Sequence, residues 1–343
     1  MKVGIVGCGK IAQTRHIPEY TSNNNCTICG YYDFNQERAI QMSKKYGGKV
    51  YSSAKELFLD PSLDAVSICV TNSEHAKLSI EALNEGKHVL CEKPMATTEV
   101  DCKAMVETAK QNGKILMIGQ NQRFTKAHQK AKELVAAGEI GKILTFQTTF
   151  GHSGPETWSI DKGNSTWFFN KNLAAMGAMA DLGVHKTDLI RFLLDSDIAR
   201  VQAVLTTLEK KDDHGKAIGV DDNAFCIYQL ENDVIGTMTA SWTYYGDEDN
   251  STILYGDKGI MKIYDDPKYS IKITLHTKEQ ILYEIDKIQT NDTQTKSGII
   301  DAFIDAILNG QEPESSGRDV LNSMKAVFAA IKSSETRRLE EVI

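Results

Sequence analysis

The sequence predicts an α/β domain with a doubly wound parallel sheet, followed by an α+β domain on a mainly antiparallel sheet. Three observations carry this. Apolar strand-like runs alternate with helix-like segments through the first 120 residues, which is βαβ grammar. A glycine-rich turn joins the first strand to the first helix. After Gln120 the pattern changes to longer strands of period 2.

The elements follow in order. A strand over 3–6 enters the turn Gly7-Cys8-Gly9-Lys10-Ile11-Ala12, and the helix after it contains Pro18, which predicts a kink or a restart. The second strand ends in Tyr31-Tyr32-Asp33, and a helix over 36–46 stops at Gly47-Gly48. A short strand lies near Val50-Tyr51, and a helix over 54–59 is stopped by Asp60-Pro61. Residues 64–70 are apolar enough for a strand buried on both faces. A helix over 74–85, a strand over 87–91, a helix over 98–112 and a strand over 115–119 complete the first domain. The second domain opens with a helix over 127–137 and a strand over 143–150. A helix over 176–194 follows, then hairpins turning at Asn232-Asp233 and at 256–259, then helices over 299–308 and 318–334. The expected division is 1–121 and 122–343, with the last helix packing back on the first domain.

A chain of 343 residues exceeds what one core serves, which agrees with two domains. Mean hydropathy is -0.32 and no apolar run is long enough to cross a bilayer, so no membrane partner is expected. The start lacks the apolar core and cleavage site of a signal peptide, which predicts a cytoplasmic protein. With net charge -7 and cations scattered among carboxylates, nothing offers a basic stripe to nucleic acid. Seven cysteines in such a chain predict reduced thiols. Cys26 and Cys29 spell C-x-x-C, but an odd spacing along a strand points them to opposite faces, and no second pair completes a metal site.

G-x-G-x-x-A after a strand and opening a helix has a mechanical meaning. Gly7 makes the tight turn, Gly9 lets backbone approach a pyrophosphate, and Ala12 packs helix on sheet. Lys10 and Ile11 lie at the helix N-terminus, whose N–H groups and dipole favour phosphate. Asp33, about twenty residues on, ends the second strand where a carboxylate bonds ribose hydroxyls. This is a Rossmann dinucleotide site. The charge of Asp33 opposes a 2'-phosphate, and Phe34 and Asn35 bring no cation, so NAD is favoured over NADP; the nearest cation is Arg38.

The run Asn84-Glu85-Gly86-Lys87-His88-Val89-Leu90-Cys91-Glu92-Lys93-Pro94 resembles the signature of the Gfo/Idh/MocA oxidoreductases. Supporting segments lie in the expected order: the glycine turn, Cys69-Val70-Thr71-Asn72 with His75, Arg123-Phe124, and Asp181-Leu182-Gly183-Val184-His185. The resemblance implies a large open antiparallel sheet in the second domain, facing the nicotinamide, and a homo-oligomer, dimer or tetramer, formed through the sheet's outer face. Two departures stand out. Thr71 replaces a usual proline, and Ala174-Ala175-Met176-Gly177 replaces a glycine-rich run.

Lys93 lies just past the carboxyl end of a parallel strand, where such sheets bind ligands. Asp181 and His185, spaced i, i+4, share a helix face and either meet each other or a common ligand. Oxidising an alcohol requires a base for the hydroxyl proton while a hydride leaves for nicotinamide. The resemblance gives His185 that role, with Lys93 stabilising the reacting oxygen and Asp181 orienting substrate or imidazole. The expected cofactor lining adds Thr71, Asn72, His75, Glu92, Lys93 and Gln122 to the glycine turn and Asp33; His75 reads equally as a helix-start residue. Substrate contacts are expected from Arg123, His152, Trp167 and Phe168, while His88 reads as core. The implied substrate is a sugar, inositol or related polyol. Two alternatives stay open at this level: a glycosidase acting by transient oxidation, and a non-catalytic dinucleotide sensor.

Overall fold

The computed structural model describes residues 1–287 and 296–343, which divide into two units, 1–121 with 296–321 and 122–287 with 322–343. In the first, strands β1 (Lys2–Val6), β2 (Thr27–Tyr32), β3 (Lys49–Val50), β4 (Ala65–Ile68), β5 (His88–Cys91) and β6 (Leu116–Ile118) pair in the order β3-β2-β1-β4-β5-β6. Every pairing is parallel. The four residues of β4 are all buried, as a strand covered on both faces must be.

Strand order reverses between β1 and β4, the switch point at which open α/β sheets bind ligands. Gly7 ends β1 there with φ +91°, and a Cβ on it would lie 2.3 Å from the carbonyl oxygen of Cys69. Only glycine lets the two loops approach so closely. The first helix accommodates Pro18 by restarting. A wide π turn, Ala12–His16, in which the Ile17 N–H reaches the Ala12 carbonyl, passes into the α-helix Ile17–Ser22, with Pro18 in its first turn where no N–H is needed. Side-chain caps start later helices: Asn35 for Gln36–Tyr46, Ser53 for Ala54–Phe58 and Thr98 for Glu99–Gln111.

In the second unit, β7 (Ile143–Gly151), β8 (Ile198–Thr206), β9 (Asn223–Leu230), β10 (Ile235–Ser241), β11 (Thr252–Gly256), β12 (Gly259–Ile263), β13 (Ile271–Leu275), β14 (Gln280–Tyr283) and β15 (Glu340–Glu341) form one sheet. Among the described residues its order is β14-β13-β12-β11-β7-β10-β9-β8-β15, with β7 and β10 parallel and the other pairs antiparallel. Phe146, Met238, Cys226, Tyr228, Leu254 and Met261 line its buried face. The helix Val184–Leu194 is buried on every side. Its charged groups are therefore paired: Arg123 meets Asp188, and Ser323 Oγ donates to the same carboxylate at 2.7 Å.

Two boundaries differ from the sequence reading. The helix expected from 176 begins as a π turn, Met179–Gly183, before Val184–Leu194, because Asp221 occupies the preceding turn. Its carboxylate accepts from the N–H groups of Gly177 and Met179, both at 2.8 Å, and its carbonyl accepts from Ala178 at 2.8 Å. The last helix, Gly317–Thr336, groups with the first unit through Leu321 and with the second from Asn322 onward. Ser333 Oγ and Ser334 Oγ accept the Ala203 and Leu205 N–H groups of β8, which fixes that part of the helix to the sheet. Cys26 lies just before β2, with its thiol toward the Tyr20 carbonyl, and the seven cysteines are free thiols.

The turn 175–177 concentrates backbone constraint. A Cβ on Gly177 would lie 1.8 Å from the Asp221 carbonyl oxygen, and Ala175 has φ +64°. Gly177→Ala is expected to lower stability by about 1–3 kcal/mol. Ala175→Gly should raise it by up to about 1 kcal/mol, since relief of strain exceeds the entropy cost of glycine. Denaturant unfolding checks both signs, and a Gly177→Ala protein as stable as the parent would contradict this account.

Candidate active site

At the switch point the loop after β1 is tied to the end of β2. Cys8 N–H donates to Asp33 Oδ2 at 2.6 Å, and Asn35 N–H donates to Oδ1 at 2.7 Å. Each oxygen keeps acceptor capacity for a hydroxyl. Burial, and then the Asp33 charge, push the Cys8 thiol up to about 12, so it is a protonated packing residue. A Cβ on Gly9 would meet nothing within 4 Å, which leaves the backbone beside the helix N-terminus open to a ligand. Ala12 is fully buried, while Lys10 and Ile11 are half-buried beside it.

Beyond β6 the side-chain amide of Gln120 is buried with neither its nitrogen nor its oxygen hydrogen-bonded among the described residues. Buried polar groups are normally satisfied, so an orphaned amide at the carboxyl edge of a parallel sheet marks a place for ligand polar groups. No sequence motif pointed to it. Together with the open Gly9 and the Asp33 carboxylate, these residues fit a dinucleotide.

Thr71 precedes the short 3-10 turn Asn72–Glu74, where Asn72 is buried, and His75 opens the helix His75–Asn84. His75 Nδ1 lies 2.7 Å from the Pro94 carbonyl oxygen and Nε2 lies 3.2 Å from that of Val70. Burial lowers its pKa, and the neutral ring donates to one of the two carbonyls. His75 thus ties the loop after β4 to the loop after β5, next to Lys93 and its cis peptide bond to Pro94. His88 Nδ1 accepts the Ile115 N–H at 3.0 Å inside the sheet, and burial lowers its pKa to about 4.

Behind Lys93 runs a buried hydrogen-bond chain that the sequence did not announce. Burial holds the Tyr20 phenol well above its ordinary pKa, so it stays protonated, and its oxygen lies 2.8 Å from Ser67 Oγ. Ser67 Oγ in turn lies 3.2 Å from His16 Nδ1, and His16 Nε2 lies 2.8 Å from Glu92 Oε1. The carboxylate at the far end can only accept, so His16 Nε2 carries a proton toward Glu92. Arg15 also reaches Glu92 Oε1 at 3.3 Å, while Oε2 accepts the Lys93 N–H at 3.2 Å. Burial alone would raise the Glu92 pKa; the His16 hydrogen bond and the Arg15 charge outweigh it and hold the carboxyl below the usual carboxylate range. A Cβ on Gly119 would come within 3.0 Å of this carboxylate, so that glycine makes room for it. Glu92, expected as cofactor lining, is thereby the anchor of the Lys93 backbone. Arg15, His16, Tyr20 and Ser67 carry no motif, and only their convergence in space reveals them.

In the second unit, Asp181 is buried in the π turn and held from two sides. Trp242 Nε1–H donates to Oδ2 at 3.0 Å, and His152 Nε2 lies 3.7 Å from the same oxygen. His152 Nδ1 accepts the Gly154 N–H at 2.9 Å, so a neutral His152 carries its proton on Nε2, facing Asp181. His185 is buried one turn on, its ring 6.1 Å from that of Phe150. Trp167 stacks on Phe168 at 3.9 Å, and Phe168 meets the edges of Trp158 and Trp242 at 5.2 and 6.5 Å. Four expected residues, His152, Trp167, Phe168 and Asp181, are thus linked through Trp158 and Trp242, two tryptophans that the sequence did not single out.

Two expected residues have other roles in the fold. Arg123, expected at the substrate, presents its guanidinium fork to Asp188, with Nε 2.6 Å and Nη2 2.5 Å from the two oxygens, and its burial makes this a packing role. Gln122, expected at the cofactor, donates from Nε2 to Asn250 Oδ1 at 3.2 Å within the second unit. Lys186, next to His185 and fully buried, donates to the Asn250 carbonyl at 2.9 Å, and burial brings its pKa down to about 7. Among the described residues, no group of three His, Cys, Asp or Glu side chains is placed to hold a metal. No helix among them is long and apolar enough to cross a membrane.

Linkage gives Glu92 a testable sign. A carboxyl whose folded pKa lies below its ordinary value of 4.5 contributes stability above that pH, which is lost as pH falls through the folded value. Glu92→Gln should be less stable than the parent at neutral pH by about 3 kcal/mol, because Arg15 loses its buried partner. The deficit should shrink below about pH 4.5, read from denaturant midpoints across the acid range. A deficit independent of pH would contradict the assignment.

The oxidoreductase-family NAD-binding Rossmann fold matches residues 1–120, and the GFO/IDH/MocA C-terminal domain matches residues 128–262. Myo-inositol 2-dehydrogenase of Thermotoga maritima is 27% identical over 100% of both chains. Glucose-6-phosphate 3-dehydrogenase of Bacillus subtilis is 32% identical over 70% of this chain and 67% of its own. The solved structure of levoglucosan dehydrogenase in complex with NADH and levoglucosan superposes with a TM-score of 0.88 at 23% identity, covering 100% of this chain and 99% of that one. The chain belongs to the Gfo/Idh/MocA family of NAD-binding oxidoreductases.

Proposed function

We propose that this protein is an NAD-dependent dehydrogenase that oxidises a hydroxyl of a sugar, inositol or related polyol. The observation that carries the reading is the coexistence of an open glycine cradle with Asp33 in one unit and a buried, oriented Asp181 with His185 in the other. Relatives whose names give inositol and glucose 6-phosphate as substrates support the substrate class.

The cofactor is held by Gly7, Gly9, Lys10, Ile11, Ala12 and Asp33, with Thr71, Asn72 and Gln120 at the carboxyl ends of neighbouring strands. Bound there, NAD supplies the hydride acceptor. His185 takes the substrate hydroxyl proton, so that proton and hydride leave the alcohol as it becomes a carbonyl. Lys93 donates a hydrogen bond to the reacting oxygen and stabilises its developing negative charge. Asp181, kept in place by Trp242 and facing the proton-bearing nitrogen of His152, orients the substrate. His75 and Glu92 act through the backbone, keeping the Lys93 segment in position.

The second unit also supports assembly. Val204, Phe225, Ile227, Ile235 and Ile260 project from the solvent face of the nine-stranded sheet, each at least 36% exposed. Apolar side chains gathered on a flat face mark an interface, and a second copy of this chain is the partner proposed for it.

Lys93→Ala should bind NAD with unchanged affinity and lose about 10²–10³-fold in kcat, measured as NADH formed per mole of enzyme per second. Normal turnover by that variant would overturn the Lys93 role. Product formation without NADH would favour a glycosidase cycle instead. Ile227→Glu with Phe225→Glu should convert the oligomer to monomer in sedimentation velocity, and an unchanged sedimentation coefficient would refute the interface.

A further inference from the structure

The segment between β10 and β11 is clamped from several directions. A Cβ on Gly151 would lie 2.2 Å from the Tyr244 ring, so glycine lets this segment pack against the end of β7. Gly151 and Asp249 exchange both backbone hydrogen bonds, at 2.7 and 3.0 Å. Lys186 and Gln122 hold Asn250 through its carbonyl and its side chain. Glu248 is therefore carried on a fixed stretch of chain, one residue from the partner of Gly151, which itself precedes His152. Burial raises its carboxyl to about 7 against the pull of the Lys186 charge and a side-chain hydrogen bond with Asn250, and the Asp181 charge adds to the rise. Oxygen Oε1 is buried and accepts no hydrogen bond among the described residues. Such an oxygen is costly to leave unmet, and a hydroxyl satisfies the carboxyl in either protonation state, donating to the carboxylate or accepting from the acid.

The cations of the same unit point the same way. Among its described residues four are buried, and each faces a partner within the fold: Arg123 with Asp188, Arg191 with Asp197, Lys210 with Glu156, and Lys186 with the backbone carbonyls of Asn250 and Ser251. A phosphate or carboxylate on the substrate would add negative charge beside Asp181 and a carboxyl whose own ionisation burial already opposes, with these cations already engaged. Like charges brought together in a partly desolvated place strongly disfavour binding. Hydroxyl groups, which both donate and accept, match the two carboxyls, and the Trp158, Trp167 and Phe168 rings give an apolar surface for the carbon face of a ring.

We infer that this unit selects an uncharged, polyhydroxylated ring substrate and that Glu248 is the residue that sets this specificity, hydrogen-bonding substrate hydroxyls beside Asp181. The inference rests on the dehydrogenase reading above and narrows its substrate to the neutral members of the class.

The test compares myo-inositol, glucose and methyl glucoside with glucose 6-phosphate and glucuronate, following NADH formation with the parent protein, Glu248→Gln and Glu248→Lys. The parent should oxidise an uncharged compound, with kcat/KM at least about 100-fold above that for either charged compound. Glu248→Gln should raise KM for the uncharged substrate about tenfold, with a much smaller change in kcat, and should narrow the gap to the charged compounds. Glu248→Lys should narrow it further. Calorimetric binding of the same compounds to the parent holding NADH supplies the comparison without any variant, should the variants fail to fold. A parent that prefers glucose 6-phosphate or glucuronate, or a folded Glu248→Gln protein with unchanged KM values for both classes, would overturn the inference while leaving the dehydrogenase reading intact. Oxidation of none of the five compounds, with no NAD binding, would overturn both.

Discussion

The close approach of Gly7 to the Cys69 carbonyl is the contact on which the nucleotide half depends. It brings the loops after β1 and β4 together where the strand order reverses, and a single added methyl group would push them apart. With that contact made, Cys8 can present its N–H to Asp33, and the backbone at Gly9 stands clear beside the start of the first helix. The π turn that follows is part of the same solution. It absorbs the missing N–H of Pro18 and places Arg15 and His16 where they converge on Glu92.

Each unit uses a carboxylate to fix the segment that carries the proposed catalytic residues. Glu92 accepts from His16, Arg15 and the backbone of Lys93, so the conformation of the lysine segment is set from beneath by a chain that ends at the Tyr20 phenol. Asp221 performs the corresponding task for the helix carrying Asp181 and His185, by capping three successive N–H groups at its start. The two acids differ in balance. Positive partners carry Glu92 below the ordinary carboxylate range, whereas burial dominates at Asp221, whose neighbours are backbone dipoles and the Asp222 charge, and its pKa is raised. Rigid support of this kind is what positions a base and an oxygen-stabilising cation before substrate arrives.

The parallel sheet was legible in the sequence because its signals are local. Glycines end strands and helices, β4 is apolar throughout, and capping residues stand one position before their helices. The antiparallel sheet was legible as a class, through period 2 and the Asn232-Asp233 turn, but its strand order was not, since pairing of β7 with β10 joins residues far apart in the chain. At the site, residues that act through motifs were visible and those that act through convergence were not. Lys93, Asp181 and Asp33 fall in recognisable patterns, whereas His16, Ser67, Trp242 and Glu248 are isolated side chains whose meaning comes from what they face. Arg123 shows the opposite failure: a cation beside a family segment suggested substrate, yet a helix buried on all sides needs its own Asp188 neutralised.

The proposed reaction is direct transfer of a hydride from a hydroxyl-bearing carbon to nicotinamide. The measurement closest to that claim uses a neutral polyol deuterated at its hydroxyl-bearing carbons, with the protein and NAD taken through a limited number of turnovers and the recovered NADH weighed by mass spectrometry. NADH carrying one deuterium per molecule is the expected result. Product formed with unlabelled NADH, or with none, would contradict it.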